Sequence, residues 1–331
     1  MKILVLMHKD LMPPSKSELK GSHAQQGQPW ETEYDVVTTL KEMEHNVHEV
    51  GVISDLSIIR KSIEEFKPKV IFNLLEEFNG EAVYDQNVVS YLELLDVAYT
   101  GCSPRGLMLA RDKALSKKIL TYHKIKTPKF QEFSRRKKQE KLKLKKFPLI
   151  VKCQNEEASL GISMASVVNT EEKVIERVSY IHGEFHTDAI VEEFIPGTEL
   201  YVGVIGNSKL QTLPVWQLYF DDVDNPDKEI YSEQAKFNSN YRKRKGIRTG
   251  PADIPKDLAK QVTEVAKKTY RALDLNGYAR IDLRVSTDER IFVLEANPNP
   301  DISMSDEFAM SAKKAKMSYQ QLLSKIISLS V

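Results

Sequence analysis

Two short segments near the C-terminus constrain this chain more than anything before them: Tyr278 to Val285 (YARIDLRV) and Ile291 to Asn297 (IFVLEAN). In the first, residues alternate, so Arg280, Asp282 and Arg284 share one face of a strand while Ile281, Leu283 and Val285 share the other. In the second, Glu295 and Asn297 are two apart and fall on a single face. Ser286 to Arg290 has the polarity and length of a hairpin loop. Pairing 286 with 291 places Asp282 opposite Glu295 and Arg280 opposite Asn297. Two carboxylates facing each other across a ladder repel and weaken it unless a cation lies between them. Hard oxygen donors with no neighbouring His or Cys select magnesium, with manganese as the alternative, over zinc. On these residues alone, a solvated hairpin with a charged outer face explains the pattern equally well. Asn297 runs on into Pro298-Asn299-Pro300-Asp301, a rigid turn that cannot extend the ladder and so delivers its polar groups at the sheet's end.

The chain of 331 residues has room for two or three compact units, each with its own interior. Lys2 to Met7 reads as a buried parallel strand, followed by a long loop, Lys9 to Trp30, of the kind that often forms a lid. A helix from Glu31, a strand over 47–52, a helix over 58–66, a strand over 70–75, a helix over 87–95 and a short strand over 98–100 complete an alternation that predicts a parallel sheet covered by helices. A single helix is expected across LMLARDKALSKKILTYH, then a strand around Lys152. The next unit opens on the strand Ala189 to Phe194, continues through Glu199 to Ile205, includes a helix over 255–273, and ends on a helix over 318–329. The expected fold class is therefore α/β (α+β): an N-terminal parallel-sheet domain over 1–105, a central unit over 106–185 and a C-terminal unit over 186–331.

Composition excludes several function classes. The hydrophobic share of 41% and charged share of 29% are those of ordinary globular proteins. No apolar run approaches the roughly 18 residues of a membrane helix, and the opening MKILVLMHKD is too short in its apolar core for a signal peptide, so a cytoplasmic protein without a membrane partner is expected. Cys102 and Cys153 form neither a disulfide framework nor a zinc-finger spacing. The basic run Arg135 to Lys146 has no interleaved aromatics and the net charge is only +1, which argues against a nucleic-acid partner. A second basic cluster, Arg242 to Arg248, reads as a mobile loop. Neither GxxxxGK[ST] nor GxG occurs, so the phosphate-cradling motifs of P-loop and dinucleotide-binding proteins are absent. His182 and His186 lack the HExxH arrangement, and Ser159 and Ser163 have no evident His and Asp partners.

Lysines do occur where a polyphosphate would need them: Lys113 in a helix, Lys236 in a polar stretch, and Lys152 inside the otherwise apolar PLIVKC. Together with YTGCSPRGLMLARDKALSKKIL, AIVEEFIPGTELYVGVIG, RIDLRV and VLEANPNP, in that order, the chain resembles the ATP-grasp superfamily and, within it, the D-alanine–D-alanine ligase branch. The resemblance covers residues from about 70 onward and implies a three-domain fold that clasps ATP between two sheets. It implies that Lys113, Lys152 and Ser159 meet the ATP phosphates, that Glu192, Glu193, Phe194, Ile195 and Leu294 line the nucleotide, and that Glu199 holds the ribose. Lys236 matches the loop lysine that approaches the γ-phosphate. Asp282, Glu295 and Asn297 match the magnesium ligands, Arg280 the arginine facing the reacting carboxylate, and Asn299 a residue of the turn that touches substrate.

The activity so implied is an ATP-dependent ligation of a small-molecule carboxylate to an amine through an acyl phosphate, in a protein that commonly forms homodimers. The departures concern substrate. Phe237 follows the loop lysine where those ligases usually carry tyrosine, and Asp306 stands where a serine typically contacts the substrate carboxylate. The Lys9 to Trp30 loop replaces a short acidic motif, and the CQNEEASLGIS loop is poorer in glycine and serine. These point to substrates other than two D-alanines. A genuine D-alanine–D-alanine ligase and a nucleotide-binding protein without ligase activity are the other readings.

Overall fold

The computed structural model describes residues 1–15, 17–19, 21, 25–137, 141–155 and 162–330. The first sheet is parallel, with β1 (Lys2–His8) between β2 (Asn46–Val52) and β3 (Val70–Asn73). Ile3 to Met7 are buried without exception, as expected of a strand covered on both faces. Helices Glu31–Glu42 and Leu56–Phe66 supply the cover, the second capped by Asp55, whose carboxylate accepts from the Ser57 N–H at 2.8 Å. The short strand expected over 98–100 is reduced to an isolated bridge between Ile71 and Tyr99. Thr100 uses its hydroxyl, not a ladder bond, to accept from the Asn73 N–H, and Gly101, at φ +98°, turns the chain away.

A second, antiparallel sheet contains β4 (Phe130–Phe133), β5 (Leu149–Cys153), β6 (Val167–Val168) and β7 (Ala189–Glu193), in the order β4-β7-β5-β6. Sequence order suggests that β7 opens the C-terminal unit at 186. It lies instead in the middle of this sheet, paired with β4 and β5, and the chain leaves the sheet only after Glu193. Helix Glu171–Glu184 covers the sheet with Val174, Val178 and Ile181, which fall on one face at helical spacing and pack against Leu149, Val151 and Val191. Burial of each such side chain is worth roughly 1.5–3 kcal/mol, so a charge at Val178 would undo this layer.

The third sheet has β8 (Gly197–Ile205) at its centre. Its order is β11 (Ile247–Pro251), β10 (Trp216–Phe220), β8, β12 (Tyr278–Ser286), β13 (Ile291–Pro298), with β9 (Gln211–Thr212) beside β8. Arg242 to Arg248 is not a loop. Helix Ser239–Lys245 ends on Gly246 in the left-handed region, and Ile247 enters β11 with its side chain buried. The first sheet does not close on itself, because Ile3, Val5, Met7 and Val36 share a core with Tyr278, Phe308, Leu322 and Ile326. Among the described residues no helix is long and apolar enough to cross a membrane.

Candidate active site

The Asp282–Glu295 pairing is present, with Arg280 opposite Asn297 as the alternation requires. Its turn differs from expectation: Val285, not Ser286, pairs with Ile291, and the ladder recovers the predicted register through a bulge at Leu294. The carbonyl of the odd residue accepts from Lys117 Nζ at 2.9 Å.

On the polar face of β12, Arg280 grips Asp282 with both arms, Nε to Oδ1 at 2.8 Å and Nη2 to Oδ2 at 3.0 Å, while Asn297 Nδ2 donates to Oδ2 at 2.9 Å. The Arg280 guanidinium lies 5.0 Å from the Tyr201 ring centre, and its Nη1 is 3.6 Å from Glu307 Oε2. Asp282 is only 5% exposed. Burial drives its carboxyl up to about 7 against the pull of Arg280, with Glu295 and Glu199 adding to the rise. Burial acts on Glu295 in the same sense, but Lys113, Lys152 and Arg280 overcome it and hold that carboxylate below its ordinary range. The donor set fits a hard divalent cation: two opposed carboxylates and an amide, with no sulfur or imidazole. Among the described residues no three acidic, His or Cys side chains could hold a metal ion together, so such a cation would complete its shell with other oxygens.

The expected single helix over 107–123 is two, Pro104–Arg111 and Lys113–Tyr122. Asp112 breaks them with extended backbone and caps the second, its Oδ1 accepting from the Ala114 and Leu115 N–H groups at 3.0 Å each. This break starts a new helix at Lys113, whose Nζ reaches Glu295 Oε2 at 3.6 Å. One turn on, Lys117 is buried. Its Nζ lies 3.2 Å from Glu192 Oε1 and donates to Thr127 Oγ1 and the Leu294 carbonyl, both at 2.9 Å. Lys152 of β5 takes the other Glu192 oxygen at 3.2 Å. Burial opposes charge on all three groups. Lys117 is pushed below its ordinary range, whereas the carboxylates around Lys152 hold it above, and the two lysines hold Glu192 below. Glu192 therefore anchors lysines with its side chain, and its backbone is paired within the sheet on both sides.

At the other end of the strand pair, Arg284 lies 5.1 Å over the Phe194 ring, donates to the Gly197 and Glu229 carbonyls, and approaches Glu199 Oε2 at 4.0 Å. Tyr201 donates to Glu199 Oε1 at 3.0 Å. Glu193 and Phe194 donate their N–H groups to the Lys129 and Pro148 carbonyls, and Ile195 follows the end of β7. Lys236 is in the short helix Glu233–Phe237, and its charge bears on Glu307. Ser159 and Gly161 lie outside the described residues.

Asn299 is less available than expected. It sits at φ 49°, and its Oδ1 accepts from the Cys102 N–H at 2.8 Å, tying the turn after β13 to the loop after Gly101. Asp306 caps helix Glu307–Lys314, accepting from the Phe308 N–H at 3.3 Å. Burial, then Glu307 and Asp301, push the Asp306 carboxyl well above the usual range, so the charge of the pair rests on Glu307, which Arg280 holds low against burial. Lys117, Tyr201 and Glu307 were not singled out from the sequence. Lys117 follows Lys113 by four residues, on the same helix face, and that spacing was the available signal.

Residues 113–328 match the family model described as D-ala D-ala ligase C-terminus. A D-alanine–D-alanine ligase of Bordetella petrii is 30% identical over 256 residues, covering 76% of this chain and 73% of that protein. The structure of the Bacillus anthracis D-alanine–D-alanine ligase complexed with ATP matches with a TM-score of 0.75 at 22% identity, over 99% of this chain and 97% of that one. The D-Ala:D-Ser ligase of Enterococcus faecalis matches with a TM-score of 0.69 at 20% identity, over 99% and 98%. The opposed carboxylates, the lysines around Glu192 and the matched span agree: this chain belongs to the D-alanine–D-alanine ligase family and is an ATP-grasp ligase that forms a carbon–nitrogen bond.

Proposed function

We propose that this enzyme uses ATP to convert a substrate carboxylate into an acyl phosphate, which an amine then displaces to give an amide, on substrates other than two D-alanines. The observation that carries the reading is the Asp282–Glu295 pair, with Lys113 Nζ 3.6 Å from Glu295 and the charges of Lys113 and Lys152 bearing on that carboxylate. In this reading Asp282, Glu295 and Asn297 hold magnesium, which when bound neutralises phosphate charge. Lys113, Lys152 and Ser159 hold phosphates, Lys236 the γ-phosphate, and Glu199 the ribose. Glu193, Phe194, Ile195 and Leu294 line the base, while Glu192 and Lys117 position Lys152. Lys152 keeps its positive charge in burial because Glu192 and Glu295 stand beside it, and phosphoryl transfer depends mainly on such charge and alignment. Arg280 faces the reacting carboxylate and stabilises the oxyanion formed on amine attack. The amine forms the C–N bond as the C–O bond to phosphate breaks, and phosphate leaves with that electron pair. The enzyme works in the cytoplasm, as a homodimer.

A structural neighbour is named for D-serine as well as D-alanine, which supports variation of substrate within this architecture. The names of curated relatives favour a second reading, a D-alanine–D-alanine ligase in the strict sense. Magnesium-dependent ADP release across amino acids, with hydroxylamine to trap acyl phosphate, tests both. A hydroxamate should form from the true donor. Vigorous phosphate release and dipeptide formation with D-alanine alone would establish the second reading.

A further inference from the structure

We propose that the amine accepted by this enzyme carries no carboxylate of its own and bears a second positive charge, as in a diamine. The inference rests on the ligase reading above and names the acceptor class of that same site.

A carboxylate-bearing acceptor needs a cation or open N–H donors to meet its negative charge, and those near Arg280 are either engaged within the protein or assigned to the donor and the phosphates. Arg280 directs Nε and Nη2 at the two oxygens of Asp282, its Nη1 lies 3.6 Å from Glu307 Oε2, and what it has left is assigned above to the reacting carboxylate and its oxyanion. Helix Glu307–Lys314 begins here, and the N–H groups of a helix start are a natural anion site. Asp306 has filled it by capping Phe308, and Glu307 adds a carboxylate to the first turn. Arg242, the next guanidinium, spends Nη1 on the Tyr231 hydroxyl and the Lys236 carbonyl, at 3.3 and 3.4 Å. Lys236 itself is assigned to phosphate. The other groups at this helix start are the carboxyls of Asp306 and Glu307.

A second observation comes from the adjoining wall. Helix Glu31–Glu42 is tied to the turn after β13 by three contacts: Thr32 Oγ1 donates to Asp301 at 2.6 Å, Ser305 Oγ to Glu31 at 2.6 Å, and the Met304 N–H to Asp35 at 2.7 Å. These satisfy the carboxylates they use and leave Glu33 over. Glu33 is 4% exposed, lies in the field of Glu76 and Asp301, and its Oε2 has no hydrogen-bond partner. A buried acceptor left unmet is costly, and an ammonium would meet it.

Hydroxylamine trapping over a panel of carboxylates first identifies the donor. With that donor, ATP and magnesium, kcat/KM is then compared for three acceptors of similar size: D-alanine, D-alaninamide and propylenediamine. Propylenediamine should exceed D-alanine by about tenfold or more, with D-alaninamide between them. Asp306→Ser, which keeps a capping oxygen, and Glu33→Gln should each shrink that ratio. D-alanine equal to or better than the diamine overturns the inference and leaves the ligase reading standing. A ratio unmoved in both variants overturns the assignment to these carboxyls. No hydroxamate from any carboxylate would remove the ligase reading and the inference together.

Discussion

Asp282 faces Glu295 only because Leu294 is bulged out of the ladder between them. Continued without the bulge, the turn-side register would set Asp282 against Leu294 and send Glu295 to the apolar face, since a shift of one residue reverses every side chain. The bulge thus makes a pair of like charges that an ordinary hairpin would avoid. Glu295→Gln should leave the metal-free melting temperature within about 2 °C of the parent, as lost repulsion offsets the lost Lys113 contact. It should abolish the stabilisation that magnesium with ATP gives the parent. Thermal melts with ATP, with and without magnesium, decide this, and full retention of the magnesium-dependent shift would count against the site.

Lys117 is the group whose loss should cost the fold most. It is 1% exposed, and Lys117→Met would leave Glu192 buried with Lys152 as its remaining ion-pair partner, while Leu294 and Thr127 lose a donor. Breaking a buried pair from one side costs about 3–5 kcal/mol. Urea unfolding should show a loss of that order, and pairing the change with Glu192→Gln should recover part of it. If the double variant is as unstable as the sum of the singles, the coupling assigned to this pair is absent.

The strand pairing of the site was legible because alternation determines faces, and two carboxylates on one face can meet only in a few registers. The bulge was not legible, because Leu294 is apolar like its neighbours and nothing local marks it as the unpaired residue. Lys117 was overlooked for a similar reason: a lysine in an amphipathic helix reads as solvent-facing until a buried Glu192 from another sheet is brought beside it. The membership of β7 in the central sheet depends on pairings with β4 and β5, tens of residues earlier, which periodicity does not report. Asp306 shows the opposite error. Its identity alone suggests a charged group, whereas burial and the adjacent Glu307 decide where the proton sits.

Gly101 and Asn299 make a second testable contact. A Cβ on Gly101 would lie 2.5 Å from Asn299 Oδ1, and the residue's φ of +98° already disfavours any other side chain. Gly101→Ala should therefore destabilise by about 2 kcal/mol, through both backbone strain and loss of the Asn299 bond to the Cys102 N–H. Asn299→Ala alone should cost about 1 kcal/mol for the lost bond. In the double variant the clash is gone, so its cost should fall short of the sum. Additive losses in chemical denaturation would show that the two residues do not contend for the same space.

Glu33 gives a pH dependence with a definite sign. Burial, with Glu76 and Asp301 adding to it, pushes its carboxyl from an ordinary 4.5 up to about 8. Between those values the folded chain holds a proton that the unfolded chain has released. The stabilisation is therefore complete below the lower value and is lost as pH rises through the upper one. Glu33→Gln is uncharged throughout, so its stability relative to the parent should climb across this window and level off above about pH 8, by on the order of 4 kcal/mol in total. Urea midpoints near pH 5, 7 and 9 measure the climb. A difference between variant and parent that stays flat from acid to alkaline pH would mean that Glu33 ionises as freely in the fold as in the open chain, and that its unpaired oxygen is reached by water.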